Sequence, residues 1–279
     1  MPLIAFTSPK GGVGKSTLAA HVAAILHRRG HAVLALDLDP QNALRLHLGM
    51  PIDAEQGFLS RLALPQAHAH APQSWTADVV ATPSGVDLLP FGATDPRRAT
   101  ELASRLAADP ELLAAPVRDM LGRRGLILVV DTPPGPNAAL EALLPVMDLA
   151  CLVLLADAGS AALLPMVANG HVFGRGTLAA RFADRVGVVL NQVRPGQRLS
   201  EAVMDSTLRS LGDRLLGAVC ADEALAEALA QKRMLLDGGA GAGEDLQLLA
   251  DQITMRLRLP PPGNVVDTGY KAFSEWGLR

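Results

Sequence analysis

The sequence predicts an α/β fold, a doubly wound and mainly parallel sheet with helices on both faces, and three observations carry that prediction. Continuous apolar runs such as Leu126-Ile127-Leu128-Val129-Val130 alternate with helical patterns, as strands buried on both faces do. A glycine-rich stretch, Lys10-Gly11-Gly12-Val13-Gly14-Lys15-Ser16-Thr17, stands between the first apolar run and the first helical pattern. Aspartates close the second and a later run, at Asp37, Asp39 and Asp131, where ligands of open α/β sheets gather.

Taken in order, residues 3–6 form a buried strand and the glycine-rich stretch opens a helix with Leu18, Val22, Ile25 and Leu26 on one face. Arg28, Arg29 and Gly30 supply the cations and glycine that favour a helix end. Residues 33–36 make a second strand, which delivers Asp37-Leu38-Asp39-Pro40-Gln41. Residues 53–78, with Pro65, Pro72 and an Ala-His-Ala-His-Ala segment that reads as a solvated loop, carry weaker signals. His68 and His70 there have the spacing of a strand face, but no Cys or third His stands near to complete a metal site. Residues 86–89 form a strand before the turn Pro90-Phe91-Gly92. Helical patterns cover 99–108 and 111–121, the second interrupted by Pro116. Strands follow at 126–130, 149–155, 186–190 (ending at Asn191) and 215–219, with an amphipathic helix at 200–211. A Gly/Ala loop at 238–243 precedes a last helix whose core positions are Leu246, Leu249, Ile253 and Leu257. One domain over residues 1–259 and a proline-rich linker with tail over 260–279 result; Tyr270, Phe273 and Trp276 give the tail aromatics at intervals of three.

Apolar residues at 49% and charged ones at 19% are ample for a large core. A net charge of −3 excludes a global field that would drive the chain onto nucleic acid or an anionic membrane. Cys151 and Cys220 lie in or beside apolar runs and read as buried free thiols in a reducing, cytoplasmic setting. The first strand begins too early to leave room for a cleavable signal, and no apolar stretch approaches the ~20 residues that span a bilayer.

The chemistry gathers on the glycine-rich loop. Between strand and helix, its N–H groups cradle a polyphosphate, the glycines admit close approach, and the helix N-terminus adds positive potential. Lys15 reaches the β- and γ-phosphates and the Ser16 hydroxyl ligates Mg²⁺. Asp131, closing an apolar strand, holds the metal through water or orients Ser16. An Asp-x-Asp after a strand is by itself an ordinary exposed turn; beside this loop it reads as part of the site.

The loop departs from G-x-x-x-x-G-K-[ST], with Pro9 in place of the first glycine and an added Lys10. In that form it resembles the deviant Walker A motif of the ParA/MinD family of dimeric ATPases. The resemblance implies a homodimer that sandwiches ATP and Mg²⁺, with Gly11, Gly12, Val13, Gly14, Lys15, Ser16 and Thr17 around the phosphates and Lys10 reaching the partner's nucleotide. It makes Asp39 the residue that orients the attacking water and Asp37 one near metal and lysine. Thr132, Pro134 and Gly135 match switch II, whose backbone N–H senses the γ-phosphate. Asn191 matches the adenine-contacting Asn, and 219–228, including Ala221 and Asp222, the segment beside the base; Asp222 as a helix cap is the alternative. Cys220 stands where that segment usually has Pro.

Within the family, Leu88-Leu89-Pro90-Phe91-Gly92, the Leu44-Arg45-Leu46 stretch and residues 222–232 resemble the BcsQ (YhjQ) branch of bacterial cellulose synthesis. That branch implies a slow ATPase switch that regulates or localises cellulose synthesis and secretion. It also implies a small companion subunit of the BcsR type and recruitment to the inner-membrane cellulose synthase or the cell pole. A partition ATPase on nonspecific DNA is the first alternative: Arg194, Arg198, Arg209 and Arg214 are candidates for its patch, though Glu201, Asp205 and Asp213 interleave with them. A MinD-type membrane helix is poorly matched, since Asp267 and Glu275 oppose Lys271 and Arg279 in the tail. The paired cysteines of an iron-protein reductase are missing, and a nucleotide-locked scaffold with negligible hydrolysis stays open.

Overall fold

The apolar runs become strands of one sheet, in a computed structural model that describes residues 1–51, 53–64, 74–172, 183–236 and 241–260. The first half runs β1 (Leu3–Thr7), α1 (Lys15–Arg28), β2 (Ala32–Asp37), α2 (Leu44–His47), α3 (Phe58–Leu62), a 3-10 turn at Trp75–Asp78, β3 (Val80–Ala81) and β4 (Asp87–Leu89). Next come α4 (Pro96–Ala108), α5 (Glu111–Leu121), β5 (Leu126–Asp131), α6 (Ala138–Leu143), β6 (Leu149–Leu155), α7 (Ala158–Ala161) and α8 (Leu164–Ala168). The chain continues through β7 (Val186–Val193), α9 (Arg198–Leu211), β8 (Leu215–Cys220), α10 (Glu223–Ala230) and α11 (Ala242–Leu257).

The sheet order is β3-β4-β2-β5-β1-β6-β7-β8. Only the β3–β4 pairing is antiparallel; the others are parallel, which the crossover helices allow. Chain order reverses around β1, flanked by β5 and β6, so a crevice opens at its carboxyl end. On one face α4, α5, α6 and α9 bury Leu102, Leu113, Leu140 and Val203. On the other lie α1 and α11, with Leu18, Ala20, Ala24, Leu246 and Ile253. The alanines Ala19, Ala20, Ala23 and Ala24 are fully buried, so α1 lies close to the sheet and is covered well beyond the single face that its periodicity predicts. It ends as predicted, with Gly30 at φ +88° and the His31 N–H on the Leu26 carbonyl at 3.1 Å.

Several expectations need correction. Pro116 lies inside a continuous α5. Packing of Leu113, Val117 and Met120 on the sheet outweighs the one ladder bond a proline forfeits. Within residues 53–78, where the sequence signals are weak, stand α3 and the 3-10 turn, anchored by Trp75, whose indole donates to Asp119 at 2.6 Å. The seventh strand runs on to Val193, so Asn191 sits within it. The last helix starts before Gly243, capped at Gly241. Cys151 is buried and free as expected; Cys220, also free, is only half-buried. The pattern gave no sign of α6, α7 or α8, each of six residues or fewer. His68, His70 and the aromatic tail lie outside the described residues. No described helix is long and apolar enough to cross a membrane.

Candidate nucleotide-binding site

Between β1 and α1 the glycine-rich loop turns through two left-handed positions, Gly12 at φ +75° and Gly14 at φ +87°. A Cβ on Gly12 would meet only open space, whereas one on Gly14 would fall 2.3 Å from Asn191 Nδ2. The first turn of α1 carries no acidic residue, which leaves its amides and positive end free of a competing carboxylate. Lys15 points back into the crevice with its side chain 7% exposed, 2.9 Å from Asp131 Oδ1 and 3.7 Å from Asp39 Oδ2. Ser16 Oγ donates to the other Asp131 oxygen. Lys15, Ser16 and Asp39 border a cavity of about 350 Å³ that also touches Gly11, Val13, Thr17 and Pro134, with the fully buried Asp131 behind them.

Three carboxylates, Asp37, Asp39 and Asp131, are buried at this end of the sheet, and two of them lie within 3.7 Å of the one ammonium. Asp37 accepts the Asp39 N–H at 3.0 Å and the Leu44 N–H at 3.1 Å, so it folds the segment after β2 rather than pairing with Lys15. Burial pushes its carboxyl well above the ordinary range, and the neighbouring Asp131 adds to the shift. Burial also raises Asp131, against the pull of Lys15 and Ser16. Asp39 and Asp131 share the single Lys15 ammonium, and a divalent cation beside Ser16 and Asp131 would add the positive charge that favours their ionised forms. Among the described residues no group of three or more His, Cys, Asp or Glu is arranged to hold a metal alone. A Mg²⁺ ion here would need phosphate and water oxygens as its other ligands, which fits the donor set.

The remaining predicted residues fall around the same crevice. Asn191 donates to the Val13 carbonyl at 2.8 Å, tying β7 to the loop. Ala221 and Asp222 border a second cavity of about 790 Å³ with Asn191, Gly14 and Leu225. The Ala221 N–H holds the Val193 carbonyl at 2.7 Å. Asp222 is indeed a cap: it accepts from the Ala224 N–H at 2.9 Å and the Ala242 N–H at 3.1 Å. Gly135, at φ +72°, donates its N–H to the Ser8 carbonyl at 2.7 Å and would have to give up that bond to meet a phosphate. Lys10 is turned away, its ammonium 2.7 and 3.1 Å from the Asp157 carboxylate oxygens of its own chain. Sequence reasoning missed Gln41, His47 and Gln192 on the phosphate cavity and Asp157 on Lys10. Asp157 caps the Ser160 N–H at the start of α7 and went unseen with that helix.

The parallel sheet with β1 at its centre, a glycine loop feeding α1 and a buried lysine among carboxylates define a P-loop nucleotide-binding fold of the MinD and ParA kind. An ATP complex of a McdA variant from Cyanothece superposes with a TM-score of 0.71 at 17% identity, over 93% of this chain and 97% of that one. The cell-division ATPase MinD of Pyrococcus furiosus superposes with a TM-score of 0.67 at 25% identity, over 91% of this chain and 98% of that one. The family model for cellulose biosynthesis protein BcsQ matches residues 1–252, and the chain belongs to that family. The cellulose biosynthesis protein BcsQ of Escherichia coli is 26% identical over 90% of this chain and 93% of its own length.

Proposed function

We propose that the chain is an ATP-binding, slowly hydrolysing dimeric switch in bacterial cellulose synthesis. The observation that supports this most is Lys15, an almost fully buried cation held between Asp131 and Asp39 at the floor of a glycine-lined cavity. Two carboxylates already hold this desolvated ammonium in place, so it is poised to meet a polyphosphate seated at the helix N-terminus, where the loop amides and Mg²⁺ would offset the added negative charge. In this reading Gly11 to Thr17 hold the phosphates, and Asn191, Ala221 and Asp222 border the base. Ser16 and Asp131 hold Mg²⁺, with Asp37 shaping the loop nearby. The metal supplies charge neutralisation for the transferred phosphoryl group.

Asp39 then accepts a hydrogen bond from the attacking water and orients it, since phosphoryl transfer needs positioning and electrostatics more than covalent help. Lys10 completes the partner subunit's site after leaving Asp157, and Gly135 turns from Ser8 toward the γ-phosphate. Both changes would link triphosphate binding to dimer closure. The ATP complex of the McdA relative and the BcsQ kinship support the nucleotide and the pathway. The partners proposed are a small BcsR-like subunit and the inner-membrane cellulose synthase.

Calorimetry with Mg-ATP tests the site: Lys15→Ala is expected to abolish binding, and retained affinity overturns the assignment. Asp39→Ala is expected to bind ATP, stop hydrolysis and accumulate as dimer. A variant that hydrolyses at the wild-type rate removes Asp39 from the reaction.

A further inference from the structure

The phosphate cavity and the larger cavity beside Asn191 share three lining residues, Gly14, Thr17 and Gln192. Two belong to the phosphate loop; the third has no role so far. Gln192 holds φ +55°, a left-handed conformation that glutamine adopts only under backbone strain. The β7–β8 pairing shows why it is held. The ladder slips between Leu190 and Val193. On one side of the slip the Ala156 N–H bonds the Asn191 carbonyl at 3.1 Å; on the other the Ala221 N–H bonds the Val193 carbonyl at 2.7 Å. Gln192 is thus the extra residue of a bulge pinned at both ends, the kind of bulge that re-aims a side chain beside a site. It is exposed, and no hydrogen bond to its amide is found among the described residues.

A nucleotide with its phosphates on the loop and its base in the larger cavity must pass its sugar through the junction that Gln192 borders. A carboxamide offers both a donor and acceptors, which suits a vicinal diol. We propose that Gln192 hydrogen-bonds the ribose hydroxyls and makes the site select ribonucleoside over deoxyribonucleoside triphosphates. The proposal rests on the nucleotide reading above and adds a specificity residue to it.

The test is a set of dissociation constants for ATP, 2′-deoxyATP and 3′-deoxyATP with Mg²⁺, measured on the wild type, Gln192→Ala and Gln192→Gly. One hydrogen bond amounts to a preference of about 3- to 10-fold. The wild type should favour ATP by that factor over at least one deoxy analogue, and both variants should lose the preference. Gln192→Gly relieves the left-handed backbone, so its melting temperature should equal or exceed that of the wild type and a lost preference cannot be blamed on misfolding. If the wild type binds all three alike, or the variants weaken all three equally, the proposal is overturned while the nucleotide site stands. If the wild type binds none of them, the nucleotide reading itself fails.

Discussion

Replacing Gly14 by alanine strikes the two halves of the site at once. The residue sits at φ +87°, where a Cβ costs about 1–2 kcal/mol against the following carbonyl. That Cβ would also stand 2.3 Å from Asn191 Nδ2, so the carboxamide must swing away and abandon its buried 2.8 Å bond to the Val13 carbonyl. Leaving that carbonyl without its donor costs about 1–2 kcal/mol more. The sum is about 2–4 kcal/mol, which for a domain of this size lowers the melting temperature by roughly 5–15 °C. The part owed to Asn191 is separable in a double-mutant cycle followed by thermal and urea unfolding without nucleotide. In an Asn191→Ala background, Gly14→Ala should cost only the backbone share, so the two changes couple by about 1 kcal/mol or more. An equal cost in both backgrounds, or a cost below about 0.5 kcal/mol alone, would refute the packing of β7 on the loop.

Three other outcomes follow from the same geometry. Asp157→Asn keeps the cap on the Ser160 N–H but removes the charge that holds Lys10. The pair is half-exposed, so stability should change by less than about 1 kcal/mol, while ATP-dependent dimerisation rises several-fold in sedimentation; unchanged association would show that Asp157 restrains nothing. His47 is lowered to about 4, by burial first and then by His21, so it is neutral in the fold at pH values where the unfolded chain already binds a proton. Relative to His47→Gln, the wild type should lose about 2–3 kcal/mol between pH 7 and pH 4.5 in denaturant unfolding, and parallel curves would contradict the burial. Asp37, raised by burial, contributes in the opposite direction in both proteins and cancels in that difference. The ATP-loaded protein should leave duplex DNA unbound at physiological salt: the Arg214 guanidinium bonds the Val167 and Ala168 carbonyls, and Glu201 and Asp205 interleave with Arg198 and Arg209. Tight binding that falls steeply with salt would favour a partition role instead.

Periodicity made most of the sheet legible because its central strands are buried on both faces and read as unbroken apolar runs, whereas the two-residue, partly exposed β3 left no such run. The short helices α6, α7 and α8 were not legible, since four to six residues carry no full period and are held by caps and packing. Pro116 misled for the opposite reason, a strong local breaker outweighed by three buried neighbours. The meeting of residues at the site was readable where residue type and spacing coincide, as at Lys15, Ser16 and Asp131, which the fold brings into contact. What no local pattern revealed was orientation: Lys10 bound to Asp157, the Gly135 N–H turned to Ser8, and Gln192 lifted by a bulge that depends on two neighbouring strands.

In the proposed function, ATP sensed at the loop after β1 closes two chains on each other with Lys10 across the interface. Sedimentation velocity of the wild type and Lys10→Ala without nucleotide, with Mg-ADP and with Mg-ATP tests it most directly. The wild type should sediment as a dimer with Mg-ATP alone, and Lys10→Ala should bind ATP yet remain a monomer. A wild type whose association ignores the nucleotide, or a Lys10→Ala variant that dimerises as well as the wild type, would contradict it.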